Sequence, residues 1–343
     1  MPSDHLNVPS SSSQAPLAPP PEPAAPPIRV VVHRGAAVHR WESTADALPL
    51  DESPGSPWLL IPPPARAVFD ALSAAGIPLA RTPFGPPLLG VKCGCNDAFI
   101  LLASDRDDDL VDVRAGSKGV PLRHGVVERA LVRPLVRGET LGPWRVAMRE
   151  WILWTHGEPV GTADEPLPEL PPHAARWLAP WRHRLAARSD TRGRGPWWAL
   201  FRTESAHATA ARVVWSDFGR APRAIVLDVG DPIVPLNSCY VARCPSLLDA
   251  HALAALLNGP LAAAWLNVVA EPARGGYRRY LGWTVSLLPI PRDWPSARTS
   301  LALLSERAAG GAKVCRAELC EAAAAAYGVS PVTVAPLLAW AES

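Results

Sequence analysis

The sequence predicts an α+β protein: mixed small sheets wrapped by helices, with a C-terminal helical extension. Three observations lead there. Short strand candidates alternate with helices irregularly, without the regular βαβ succession of a parallel fold. Apolar residues make up 48% of the 343 residues, enough for a sizeable core. After Trp294-Pro295 the composition turns Ala-rich, and no internal repeat is visible.

Residues 1–55 read as a disordered Pro/Ser-rich tail or linker. Ser10 to Ser13 and Pro19 to Pro21 belong to a stretch that buries too little apolar surface to offset its ordering entropy. Ile28 to Val32 is a short strand candidate inside it, followed by loop through Pro54, with order starting near Ser56. A main domain is expected over 56–295. Pro64 to Ala75 reads as a helix with Val68, Leu72 and Ala75 on one face. Ala98 to Leu102, Arg212 to Trp215, Ala224 to Leu227 and Cys239 to Val241 are strand candidates. Pro172 opens a helix whose Trp177, Trp181 and Leu185 form the buried stripe, with Pro180 kinking or restarting it. Leu247 to Asn258 is a helix stopped by Gly259, and Pro260 opens the next, running to about Ala270. Residues 296–343 form the helical extension, in two pieces separated by Gly310-Gly311.

The net charge of +2 decides little. Its distribution says more: 31 Arg stand against 3 Lys. The guanidinium fork suits phosphate oxygens and guanine edges, although a GC-rich genome yields the same bias. Between His173 and Arg223 ten arginines face three acids, a local excess of +7. Such a cluster is either the footprint of phosphate binding or a solvated helix face with a basic loop. Arg188, Arg192 and Arg194, on or beside a Gly-containing loop, are the leading contact candidates there. Gly275-Gly276-Tyr277-Arg278-Arg279-Tyr280 interleaves aromatics with arginines after a flexible turn. It suits entry into a groove or stacking on an unpaired base; the alternative is Tyr rings packed at the core edge. Lys92 and Asn96 lie in a Gly-bounded turn, where Asn either reads adenine or satisfies its own turn.

Most of the 14 Trp belong in the core, Trp177, Trp181, Trp265 and Trp283 among them. The six cysteines form unevenly spaced pairs, Cys93/Cys95, Cys239/Cys244 and Cys315/Cys320, which fit buried free thiols better than a zinc site. No secretory signal and no uninterrupted apolar span is visible, so a cytoplasmic protein with reduced thiols and no membrane association is expected. G-x-G-x-x-G and Walker A sequences are absent, as is the Asn/Asp-Pro-Pro-aromatic turn that an amino-group DNA methyltransferase needs. No cofactor site is therefore expected in this chain.

A succession of motifs resembles one family. Gly90-Val91-Lys92-Cys93-Gly94-Cys95-Asn96-Asp97-Ala98-Phe99 resembles the G-[VI]-K-T-G-x-N-x-A-F segment in the C-terminal specificity (target recognition) domains of TaqI-like adenine-N6 DNA methyltransferases of restriction–modification systems. Arg133-Pro134-Leu135-Val136-Arg137-Gly138 with Trp144, and Leu185 to Arg188 with Trp197 to Leu200, are similar to later blocks. Val213 to Asp217, Asn237 to Tyr240, Leu256 to Leu261 and Leu288 to Pro291 follow in order, and the tail around Tyr327-Gly328-Val329 resembles the family's helical end. The likeness runs over residues 56 to 340.

It implies a double-stranded DNA partner, contacted by Lys92, Asn96, Arg137, Arg188, Arg192 and Arg194, and by Arg220, Arg274, Tyr277, Arg278 and Arg279. It implies as well a separate methyltransferase catalytic domain or subunit, with S-adenosylmethionine bound there and not here. Cys93 departs from the family's Thr, and a Pro-rich tail stands where the catalytic domain should precede. The chain is then a recognition module, a truncated C-terminal part of a complete methyltransferase or fused restriction–methylation enzyme, or a non-functional fragment of a split gene. Whether it is itself an enzyme stays open.

Overall fold

The structure, a computed structural model, describes residues 26–106, 108–116, 122–157, 165–189 and 195–343. The expected tail over 1–25 and the candidates Arg192 and Arg194 lie outside the described residues. The chain divides into two compact units, Met1–Leu60 and Ile61–Ser343.

The first unit corrects the expectation of an unstructured segment up to residue 55. Ile28–Arg34 and Ala37–Ser43 pair as an antiparallel hairpin, in register from Ile28↔Ser43 to Arg34↔Ala37. Gly35, with φ 58°, supplies the positive dihedral that a two-residue turn needs at its first position. Further on, Leu59 N–H donates to the Leu48 carbonyl at 2.7 Å and Leu50 N–H to that of Pro57 at 2.8 Å, closing the loop between them. Ordered backbone thus begins well before Ser56.

The second unit is α+β, as the sequence predicts. Its largest sheet has six strands in the order Val234–Pro235, Val132–Val136, Glu150–Leu153, Ile100–Asp105, Leu110–Ala115, Arg123–Glu128. Only the first pair is parallel. Ile100–Asp105 starts later than expected, because Asn96–Phe99 forms a helical turn. A four-stranded antiparallel sheet follows the order Ala224–Leu227, Ala211–Ser216, Cys239–Cys244, Leu88–Leu89. A small three-stranded sheet joins Phe218–Gly219, Arg278–Arg279 and Glu271–Pro272.

Around the six-stranded sheet a core gathers Phe99, Ile152, Trp154, Trp177 and Leu185. Trp177 belongs to the interrupted helix: Pro172–Leu178, a 3-10 turn at Ala179–Trp181, then Arg182–Ala186. Pro180 lies in that 3-10 turn, having no N–H to continue an α-helical ladder. The Trp177 indole donates to the Ala98 carbonyl at 2.8 Å, so the ring is both buried and satisfied.

Leu247–Asn258 is capped by the Ser246 hydroxyl and buries most of its residues. Pro260–Val269 continues after a 67° bend. No single helix among the described residues is long and apolar enough to cross a membrane. The C-terminal helices are Trp294–Ala309, Arg316–Ala326 and Pro331–Glu342, one more than expected, because the chain breaks again at Gly328 with φ 69°. They share the second unit's interior. Buried Asp249 accepts from the Trp294 indole at 2.8 Å and from Arg298 at 3.0 Å, and Tyr327 donates to the Pro289 carbonyl.

The chain crosses between the two larger sheets four times, and the shortest crossing is only three residues long. Val234–Pro235 ends the first sheet, Cys239 starts a strand of the second, and Leu236 to Ser238 lie between. Leu236 N–H donates to the Val136 carbonyl at 2.9 Å, Asn237 N–H to Val91 at 3.1 Å and Gly90 N–H to Cys239 at 3.0 Å. A Cβ on Gly90 would run into the Leu236 carbonyl, so this close approach demands glycine. Gly90→Ala is expected to cost about 1–3 kcal/mol through forced backbone displacement. Denaturant unfolding checks this, and an unchanged midpoint would contradict it.

Candidate functional site

The Gly90 to Phe99 segment builds the first recess. Lys92 pairs with Phe201 through two main-chain hydrogen bonds of 2.9 Å, which fixes the loop's base. Gly94 turns the chain with φ 69°, and a Cβ there would sit 2.6 Å from Cδ of Arg188. The Cys93 thiol donates to Asn96 Oδ1 at 3.2 Å. Burial pushes that thiol up to about 11, so it stays protonated and able to donate at neutral pH. Asn96 therefore has its oxygen engaged in its own turn. A cavity of about 550 Å³ results, with Lys92, Asn96, Asp97, Arg184 and Asn237 on its walls.

The small three-stranded sheet builds the second recess, of about 670 Å³. Its walls include Glu139, Pro143, Asp217, Phe218, Arg220 and Tyr277. The Phe218 and Tyr277 rings stack at 4.9 Å with 10° between planes, and the Arg220 guanidinium lies over Tyr277 at 5.6 Å. Both rings remain well exposed, Phe218 at 40% and Tyr277 at 38%. Arg279 pairs with Phe218 across the strands, which puts it on the same sheet face. Burial pushes the Asp217 carboxyl up and Glu139 adds to the shift, while Arg279 holds it down.

The two recesses are connected through the crossing segment. Asn237 lines the first; Ser238, the next residue, accepts from Gly138 N–H on its hydroxyl at 2.9 Å and from Asp217 N–H on its carbonyl at 3.0 Å. Gly138 and Asp217 both line the second recess. The crossing segment thus links residues of the two recesses.

The arginines fall into two groups. Arg188, expected to touch DNA, instead donates to the carbonyls of Leu185, Cys93, Trp197 and Ala199 at 2.7–3.1 Å, clamping the loop from behind. Arg137 is ion-paired with Glu139 at 2.6 Å and Glu150 at 3.3 Å. Arg278 is half-buried and donates to the Ala270 carbonyl at 3.2 Å. Arg212 and Arg223 of the basic cluster likewise donate to carbonyls. These groups serve the fold, because a guanidinium has five donors and buried carbonyls need partners.

Among the described residues Lys92, Arg184, Arg220, Arg274 and Arg279 are exposed cations without an ion pair, as are Arg29, Arg40, Arg81, Arg114, Arg145, Arg149, Arg176, Arg182, Arg202, Arg292 and Lys313. The structure brings Lys92 together with Asn96, and Arg220 with Tyr277 and Arg279. Arg274 sits on the neighbouring turn, Arg274–Gly276. Arg184, Asp217, Phe218 and Asn237 escaped the sequence-based selection of sites. Phe218 alone carried a signal, an aromatic directly after a strand in a basic region.

No group of three or more His, Cys, Asp or Glu positioned for a metal ion occurs among the described residues. Comparison with protein families and with curated proteins finds no match. A solved structure of the Type IIL restriction-modification enzyme MmeI in complex with DNA is similar over 76% of this chain, with a TM-score of 0.44 and 12% identity. The chain spans 36% of that protein's length in the match.

The clamp generates a prediction. Arg188→Lys keeps the charge but loses the planar fork, and is expected to cost about 2–4 kcal/mol because several carbonyls lose a charged donor. Chemical denaturation measures it; undiminished stability would show that the clamp contributes nothing.

Proposed function

We propose that this chain is a DNA-recognition module of an adenine-N6 restriction–modification system, resembling TaqI-like specificity domains. It acts in the cytoplasm with a catalytic domain or subunit that binds S-adenosylmethionine and transfers the methyl group. The observation that carries the reading is a pair of recesses linked through Asn237-Ser238, with cations on both and an exposed aromatic pair on one. Unpaired Lys and Arg attract phosphates and release their counterions, while amide and aromatic groups beside them face the bases. The collinear motif resemblance supports the same reading, and the missing Asn/Asp-Pro-Pro-aromatic turn supports chemistry supplied by a partner.

Duplex DNA titrated at several salt concentrations tests it by fluorescence anisotropy. Lys92→Ala, Arg220→Ala and Arg279→Ala should each weaken binding and reduce the steepness of log K against log salt by about 0.9, one phosphate contact each. A chain that binds no duplex, alone or with its catalytic partner, would overturn the proposal. So would binding that none of the three substitutions alters.

A further inference from the structure

The second recess holds a group that phosphate binding does not explain. Asp217 stands at its wall, yet a carboxylate near a phosphodiester repels it. Its neighbours are accounted for. Glu139 is paired with Arg137 at 2.6 Å. Asn258 uses both ends of its amide on Ala224, accepting at 2.8 Å and donating at 2.9 Å. Arg220 lies on the Tyr277 ring. Asp217 differs: among the described residues no other residue donates a hydrogen bond to its carboxylate.

Its backbone, by contrast, is held on both sides. Asp217 N–H donates to Ser238 at 3.0 Å, and its carbonyl accepts from Tyr280 N–H at 2.7 Å. The acceptor is therefore half-buried, fixed in position, and open to a cavity of about 670 Å³ whose wall carries a stacked aromatic pair.

We infer that Asp217 is a specificity-determining residue, accepting a hydrogen bond from the exocyclic amino group of a base in the DNA target. The inference rests on the proposed DNA-recognition reading and adds to it which residue discriminates and by what chemistry. Cytosine N4 and adenine N6 are the amino groups exposed in the major groove, and a carboxylate accepts from either. Thymine and guanine present carbonyl oxygens at the corresponding positions, which the carboxylate rejects. Arg220 and Arg279 offset the repulsion between the carboxylate and the flanking phosphates.

The experiment selects binding sites from a randomised duplex library with the full chain, alongside its catalytic partner where that is required. Wild type should enrich cytosine or adenine at one position that Asp217→Ala, which has no acceptor, no longer enriches, the discrimination falling about tenfold or more. Affinity for unrelated duplex should stay equal or rise, since a negative charge has been removed. A second measurement uses wild-type protein alone. The selected site is remade with purine in place of adenine, or 2-pyrimidinone in place of cytosine, so that only the amino group is lost. A drop of similar size for one of the two identifies the base.

Binding with a preference that Asp217→Ala leaves intact, or indifference to both analogues, would overturn the inference and leave the DNA-recognition reading standing. Failure of the wild-type chain to bind any duplex would overturn both.

Discussion

The structure depends on one short crossing. Between Pro235 and Cys239 the chain leaves the six-stranded sheet and enters the four-stranded one, and every intervening residue is tied to another part of the fold. Leu236 hydrogen-bonds to Val136, Asn237 to Val91, and Ser238 to Gly138 and Asp217. Backbone groups at such a junction lie outside both ladders and need partners if they are buried. Satisfying them draws the Gly90 loop, the Gly138 turn and the Asp217 bend together. The two recesses are a consequence: the crossing segment links residues of both.

Arginine in this protein does two kinds of work. A buried guanidinium without partners is destabilising by several kcal/mol, so the internal ones are surrounded by carbonyls. Arg212 is the extreme case. It is fully buried and its pKa falls to about 10 through desolvation, yet it remains charged at neutral pH with three carbonyls as acceptors. Arg188 does for the Gly90 loop what Arg212 does for the four-stranded sheet. Among the remaining cations Lys92, Arg184 and Arg220 lie on the recess walls. The local excess of positive charge therefore overstates what is available at the surface.

How much was legible in the sequence follows from how local each signal is. The helices Pro63–Ala75, Leu247–Asn258 and Pro260–Val269 were readable because proline opens two of them and glycine stops the third. Most of the six-stranded sheet was not. Leu110–Ala115 does alternate apolar residues with Asp112 and Arg114, the period of a half-buried strand, but over a short run; Arg123–Glu128 has no such alternation and begins with Arg, His and Gly. Of the hairpin at Ile28–Ser43 only the first strand was legible, from its β-branched run; the returning Ala37–Ser43 has a single β-branched residue, Val38. The Lys92–Asn96 turn was visible as a glycine-bounded motif. Its contact with Arg188, and the meeting of Gly138 with Ser238 a hundred residues away, are tertiary facts with no local mark. For the same reason Asp217 counted in the sequence as the end of a motif and as an acid in a basic region, not as a site residue.

If the two recesses form one binding surface, a single ligand must touch both at once. Hydrogen–deuterium exchange of the whole chain, with and without duplex DNA, measures this directly. Slowed exchange in residues 92–97 together with 217–220 and 274–279 is the predicted result. Slowing confined to one of the two recesses, or found only elsewhere in the chain, would contradict it.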